Sequence, residues 1–181
     1  GMHFKIGAVI KPASFIRIGY AYHSKTYNEL TDLYRRSMTT ESQVMGEQTQ
    51  FWDEEYDFEL LTPSKSIASL ALINSFKKIR ILATFDYEMI NYASSQLMSI
   101  YPLGNQYYYS FSQENNNIEN YYAKTNNKKA GLYLSFNNIS IRGGYAIMGS
   151  PFKNDDLNNW SQEYISGGIG YKINNYSFDI G

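Results

Sequence analysis

Hydrophobic and polar residues alternate most cleanly from Lys78 to Tyr92, KIRILATFDYEMINY. Ile79, Ile81, Ala83, Phe85, Tyr87 and Met89 fall on one side of a period-two repeat, and Arg80, Thr84, Asp86 and Glu88 on the other; Leu82 is the exception. This period predicts a β-strand, because successive side chains of an extended chain point to opposite faces. At about 3.3 Å per residue the run is roughly 40 Å long, more than a globular strand needs and enough to cross a bilayer at a tilt.

The same pattern predicts further strands over 4–10, 15–23, 56–73, 130–136, 139–147, 165–173 and 176–180. Lys11-Pro12-Ala13-Ser14 joins the first two. Within 56–73, Thr62-Pro63 predicts a bulge or kink, since proline cannot donate to a ladder. Asn74-Ser75-Phe76-Lys77 turns that stretch into the 78–92 strand, while Asn137-Asn138 and Asn174-Asn175 close the last two hairpins. Paired Asn tolerates the positive φ that a two-residue type I′ turn requires at both positions. Eight strands then run alternately up and down. Short turns (11–14, 74–77, 137–138, 174–175) lie at one end and long irregular passages (24–55, 93–128, 148–163) at the other. The prediction is an all-β fold, an antiparallel up-and-down β-barrel of about eight strands in one unit spanning 1–181. Short turns opposite long loops are the asymmetry of a transmembrane barrel.

The strands share a local repeat. Ile16-Arg17-Ile18-Gly19-Tyr20-Ala21-Tyr22 matches Ile141-Arg142-Gly143-Gly144-Tyr145-Ala146-Ile147, and Ile165-Ser166-Gly167-Gly168-Ile169-Gly170-Tyr171 is a looser third copy. One face carries Ile and Tyr, the other Arg or Ser with Gly and Ala. The small, charged face suits a polar lumen and the Ile/Tyr face suits lipid. A soluble sheet with its apolar face toward a core satisfies the same alternation, and both readings stand.

Composition narrows the choice. The 18 Tyr, 10 Phe and 2 Trp sit in a chain whose mean hydropathy is −0.44, and no run approaches the ~18–20 apolar residues of a spanning helix. A helical membrane protein is therefore excluded, whereas a β-barrel hides from hydropathy averages. A net charge of −1 gives no indication of nucleic acid, and the absence of cysteine removes disulfides, thiolate metal sites and a cysteine nucleophile.

Chemistry-bearing motifs are sparse. His3 and His23 are the only histidines, and no nucleophile elbow, HExxH or phosphate-cradling loop is present, so neither an enzyme nor a metal or cofactor site is expected. Asp86 and Glu88 share a strand face about 7 Å apart. That spacing suits acid/base work, but with Arg17, Arg80 and Arg142 on the matching faces it better suits a charge network across a lumen. Asp53-Glu54-Glu55 and Asp155-Asp156 read as solvated loop charges. Tyr107, Tyr108 and Tyr109, with Tyr121 and Tyr122, sit in the longest loop, where they either line the way in for an apolar ligand or pack the loop onto the rim.

Several segments together carry a family resemblance: FIRIGYAYHSKTYNELTD (15–32), LLTPSKSIASLALI (60–73), FDYEMINYASSQL (85–97), IRGGYAIMGSPFK (141–153) and SGGIGYKINNYSFDIG (166–181). In them the chain resembles the outer-membrane protein transport family, the long-chain fatty-acid and aromatic-hydrocarbon channels, in the Bacteroidetes branch often labelled hemin receptors. The resemblance implies a wide antiparallel barrel in the bacterial outer membrane, plugged by an N-terminal segment and surrounded by outer-membrane lipid. Hydrophobic small molecules would cross it passively. The family's plug, early strands and aromatic-ended last strand have no counterpart here, and no residue argues for heme. Gly1-Met2 looks like a tag remnant and Gly181 interrupts an alternating run, so the chain reads as a piece of a longer protein. Two other readings remain, a soluble β-barrel or sandwich that binds a ligand or partner, and a surface structural or adhesive barrel without transport.

Overall fold

The computed structural model describes residues 1–42, 44, 46–100, 109–153 and 160–181. Among them lie β1 (Lys5–Ala13), β2 (Ile16–His23), β3 (Tyr27–Ser42), β4 (Gly46–Leu61), β5 (Lys65–Phe76) and β6 (Ile79–Asn91). A 3-10 turn (Tyr92–Ser94), β7 (Gln96–Ser99) and α1 (Ser112–Tyr121) follow, then β8 (Lys124–Phe136), β9 (Ile139–Met148), β10 (Gln162–Ile173) and β11 (Tyr176–Ile180). One eight-stranded sheet has the order β1-β2-β5-β6-β8-β9-β10-β11, with every neighbour antiparallel. It is the up-and-down meander of a barrel wall. Among the described residues its edge strands β1 and β11 pair with nothing beyond β2 and β10.

Four two-residue turns, at 14–15, 77–78, 137–138 and 174–175, close one end of this sheet. Two expected turns are shorter than their sequence suggests. β1 continues through Pro12, which falls where the β1–β2 register shifts between Ile10 and Ala13, on an edge strand whose proline breaks no interior ladder. β5 likewise continues to Phe76. In both Asn-Asn turns only the first residue is left-handed, Asn137 at φ 52° and Asn174 at φ 51°. Lys77 takes the same conformation at φ 52° without an Asn amide to ease it. Lys77→Asn is therefore expected to raise stability by about 0.5–1 kcal/mol, read as a higher urea midpoint with unchanged slope.

The sheet is polar where a soluble sheet would be apolar. Its most buried side chains are Asn127 (2% exposed), Ser135, Glu88 and Thr125, whereas only Leu61 and Ile90 are buried apolar residues among those described. Reading across the registers, Ile18, Leu70, Phe85, Ala130, Tyr145 and Ile165 form one continuous row on the exposed face. One residue along, Arg17, Ala71, Thr84, Gly131, Gly144 and Ser166 form the opposite row. On β6 the outward set runs from Ile79 to Tyr87, about 26 Å along the strand, close to the height of a lipid-facing band.

The passage 24–55, expected to be a loop, is for the most part a long hairpin. β3 and β4 pair from Tyr27↔Leu61 to Ser42↔Gly46, and β4 also pairs with β7. The ladder prolongs the β2–β5 pair, since Thr62 donates its N–H to the Thr26 carbonyl at 3.0 Å just beyond His23↔Lys65. Most of the hairpin is exposed on both faces, so no apolar period marks it. Cross-strand polar pairs hold it instead: Arg35 grips Asp53 with two bonds of 2.6 and 2.9 Å, Thr31 donates to Asp57 at 2.7 Å, and Thr39 meets Thr49 at 2.9 Å. The Arg35 guanidinium holds the Asp53 carboxyl below its ordinary range. At Thr62-Pro63 the expected kink inside one strand is a change of sheet, β4 ending at Leu61 and β5 starting at Lys65. In the 93–128 passage, likewise expected to be irregular, the chain holds β7, α1 and the first residues of β8.

Candidate functional site

Two features meet at the long-connection end of the sheet. The first is a buried polar cluster. Glu88 near the end of β6 lies opposite Ile67 of β5 and Asn127 of β8. Its Oε2 accepts from Lys65 Nζ at 3.2 Å and its Oε1 from Asn127 Nδ2 at 2.8 Å. Asn127 Oδ1 in turn accepts the Gly149 N–H at 3.0 Å, so one amide ties the carboxylate to the segment that leaves β9. Beside it a cavity of about 270 Å³ is lined by Tyr92, Asn127, Gly149, Phe152, Trp160 and Tyr164, among others.

The residues named from the sequence as a charge network are distributed more widely. Arg17, Arg80, Asp86, Glu88 and Arg142 lie on the polar face, but no two of them bond to each other among the described residues. Asp86 sits opposite Ser69 and Lys129. Arg80 sits opposite Ser75 and Ser135. Among the described residues the buried Arg17 Nη1 has no hydrogen-bond partner. Arg142 reaches across β10 to Asp179 of β11. Two glycines of β10 leave room for this pair: a Cβ at Gly168 would lie 2.9 Å from the Ile180 carbonyl and 3.2 Å from Arg142 Cγ, and one at Gly170 would clash with Asp179 and Ser140 and lie 3.0 Å from Arg142 Nη2. Sequence reading missed Lys65 and Asn127, whose role depends on lateral register and not on spacing along one strand.

The second feature is aromatic. At the base of the long hairpin Tyr56 and Phe58 of β4 stack at 6.0 Å, and Phe111 approaches both, at 5.9 and 5.7 Å. Tyr109 meets Phe111 edge-on at 5.0 Å and Tyr56 at 5.9 Å. Tyr56 donates to Ser99 Oγ at 3.1 Å, because the Ser99 hydroxyl donates to the Tyr109 carbonyl. Asn115 of α1 clamps β7 at both Leu97 N–H (2.8 Å) and Leu97 carbonyl (2.9 Å), which brings Glu114 alongside. These groups surround a cavity of about 410 Å³ that Asp32 also lines. Tyr109 donates to Glu114 Oε1 at 2.6 Å; the bond holds the Glu114 carboxyl below its ordinary range and raises the tyrosine.

The loop tyrosines named from the sequence thus part company. Tyr109 belongs to this cavity, Tyr122 lies with its ring tilted 5.0 Å from that of Phe152, its partner in an isolated bridge, Tyr121 is exposed, and Tyr107 and Tyr108 lie outside the described residues. Tyr56, Phe58, Phe111 and Glu114 went unnamed; the alternating Tyr56-Asp57-Phe58 was the one available signal. Among the described residues no three His, Cys, Asp or Glu side chains converge as a metal site, and no helix is long and apolar enough to cross a membrane. The second statement concerns helices only.

Comparison with known proteins addresses the fold. No protein-family model matches the chain, and no curated protein does. Among solved structures it is similar to the CymD monoaromatic hydrocarbon channel, with a TM-score of 0.53 and 16% identity, over 97% of this chain and 44% of that one. The chain therefore spans less than half the length of that channel and shares its all-β, antiparallel barrel-wall fold.

Proposed function

We propose that this chain forms part of the wall of a bacterial outer-membrane β-barrel through which hydrophobic small molecules pass without energy input. The observation that carries the reading is the inverted polarity of the sheet, with Ile18, Leu70, Phe85 and Ile165 exposed while Glu88 and Asn127 are buried. A surrounding lipid phase makes such a face favourable. On this reading the Ile/Leu/Phe row meets outer-membrane lipid and the row of Arg17, Thr84 and Gly131 faces the lumen with Arg80, Asp86, Glu88 and Arg142. The likeness to a hydrocarbon channel supports the architecture. Long-chain fatty acids are one class of cargo, for whose carboxylate the unpaired Arg17 Nη1 is a donor. The chain has no catalytic task in this reading.

Cysteines at positions 85 and 86, introduced singly into the full chain in outer membrane, test the orientation. With a membrane-impermeant maleimide, Asp86→Cys is expected to label and Phe85→Cys to stay protected until detergent disperses the lipid. Labelling of both in intact membranes, or a full chain that stays monomeric in water without detergent, overturns the reading in favour of a soluble binding module. Correct labelling without uptake of any apolar solute points to a structural or adhesive barrel.

A further inference from the structure

The aromatic cavity at the hairpin base carries a charge that an apolar cargo does not use. Four rings, Tyr56, Phe58, Tyr109 and Phe111, contact one another there, and two carboxylates, Asp32 and Glu114, line the same space. Asp32 is register-paired with Tyr56, so the two are cross-strand neighbours. Glu114 uses Oε1 to accept from Tyr109 and its carboxylate also lies against its own backbone N–H, while Oε2 is buried and has no hydrogen-bond partner from another described residue. A carboxylate oxygen withdrawn from water without a donor is costly, and a ligand donor offsets that cost. Aromatic faces attract cations through their quadrupole, while an N⁺–H···O⁻ bond is about twice as strong as a neutral one.

We infer that this cavity is a binding site for amphipathic organic cations, an aryl or alkyl body lying against Tyr56, Phe58 and Phe111 and an ammonium group held by Glu114 and Asp32. The inference deepens the proposed function: it gives the outer end of the wall a preference by headgroup charge. Neutral arenes occupy the same rings more weakly, and carboxylates are disfavoured in this cavity, so a fatty-acid cargo would engage the wall at Arg17 and not here. Among the described residues the pocket lining contains no Lys or Arg.

Three ligands of nearly equal size separate the possibilities: phenethylammonium, 2-phenylethanol and phenylacetate, each titrated calorimetrically into the full chain in nonionic detergent at neutral pH. Phenethylammonium is expected to bind at least about ten-fold more tightly than the alcohol, with phenylacetate weakest. Glu114→Gln keeps an acceptor for Tyr109 and is expected to remove most of the ammonium's advantage over the alcohol. Phe111→Ala is expected to weaken ammonium and alcohol together, which places both at these rings. Equal binding of the three ligands, ammonium binding insensitive to Glu114→Gln, or binding that survives Phe111→Ala overturns the inference. In the first two cases an apolar pocket remains and the channel reading stands; that reading fails separately, on the labelling of positions 85 and 86.

Discussion

Leu132→Arg is expected to destabilise the folded chain in lipid vesicles by about 2–4 kcal/mol, the cost of a cation on the lipid face near the bilayer midplane. Leu132 lies in the middle of β8, opposite Ala83 of β6 and Gly143 of β9, and is 46% exposed. The size of the effect separates the readings. A half-exposed leucine facing water tolerates arginine with a change within about 0.5 kcal/mol, and the substitution improves solubility. A leucine facing acyl chains has no such tolerance, since the guanidinium must snorkel or draw water into hydrocarbon. Urea unfolding of the full chain in vesicles measures it. An unchanged midpoint there means that the apolar row does not face lipid.

How far the sequence carries can be argued from single strands. β6 was legible because one of its faces is apolar along most of its length, and the period survives even though the apolar face points outward. Alternation does not say which face is inside: Phe85 and Glu88 exchange roles between a soluble sheet and a membrane wall without a change of sequence. β3 and β4 were illegible for the opposite reason. Most of that hairpin buries neither face, so its order rests on pairs such as Arg35 with Asp53, which are separated by 18 positions and carry no period. The polar cluster was half legible. Glu88 stood out on its strand, but its partners come from β5 and β8, and only the lateral registers bring Lys65 and Asn127 to it. Arg142 shows the same limit, since its reach to Asp179 depends on two glycines in the intervening strand. In the aromatic cavity, the Tyr109 of a conspicuous Tyr run was legible, while Glu114 took its place only through the Asn115 clamp between α1 and β7.

The second large effect is expected at Asn127, the most buried of the polar side chains described. Its amide nitrogen donates to Glu88 and its oxygen accepts from Gly149, so Asn127→Leu, similar in volume, removes both bonds and leaves a carboxylate oxygen and a backbone N–H unsatisfied. Each such group costs about 1–3 kcal/mol when buried. The neighbouring cavity, which Asn127 lines, is large enough to admit water that recovers part of this. A net loss of about 2–3 kcal/mol in urea unfolding is therefore expected. Lys65→Met is expected to cost less, because the Lys65 side chain is 36% exposed and Glu88 keeps its bond from Asn127. The decisive measurement is the double-mutant cycle of Asn127→Leu with Glu88→Leu. Removing both partners leaves no orphaned carboxylate, so the pair is expected to be at least about 1 kcal/mol less destabilising than the sum of the single changes. Additive losses would mean that the two side chains act independently.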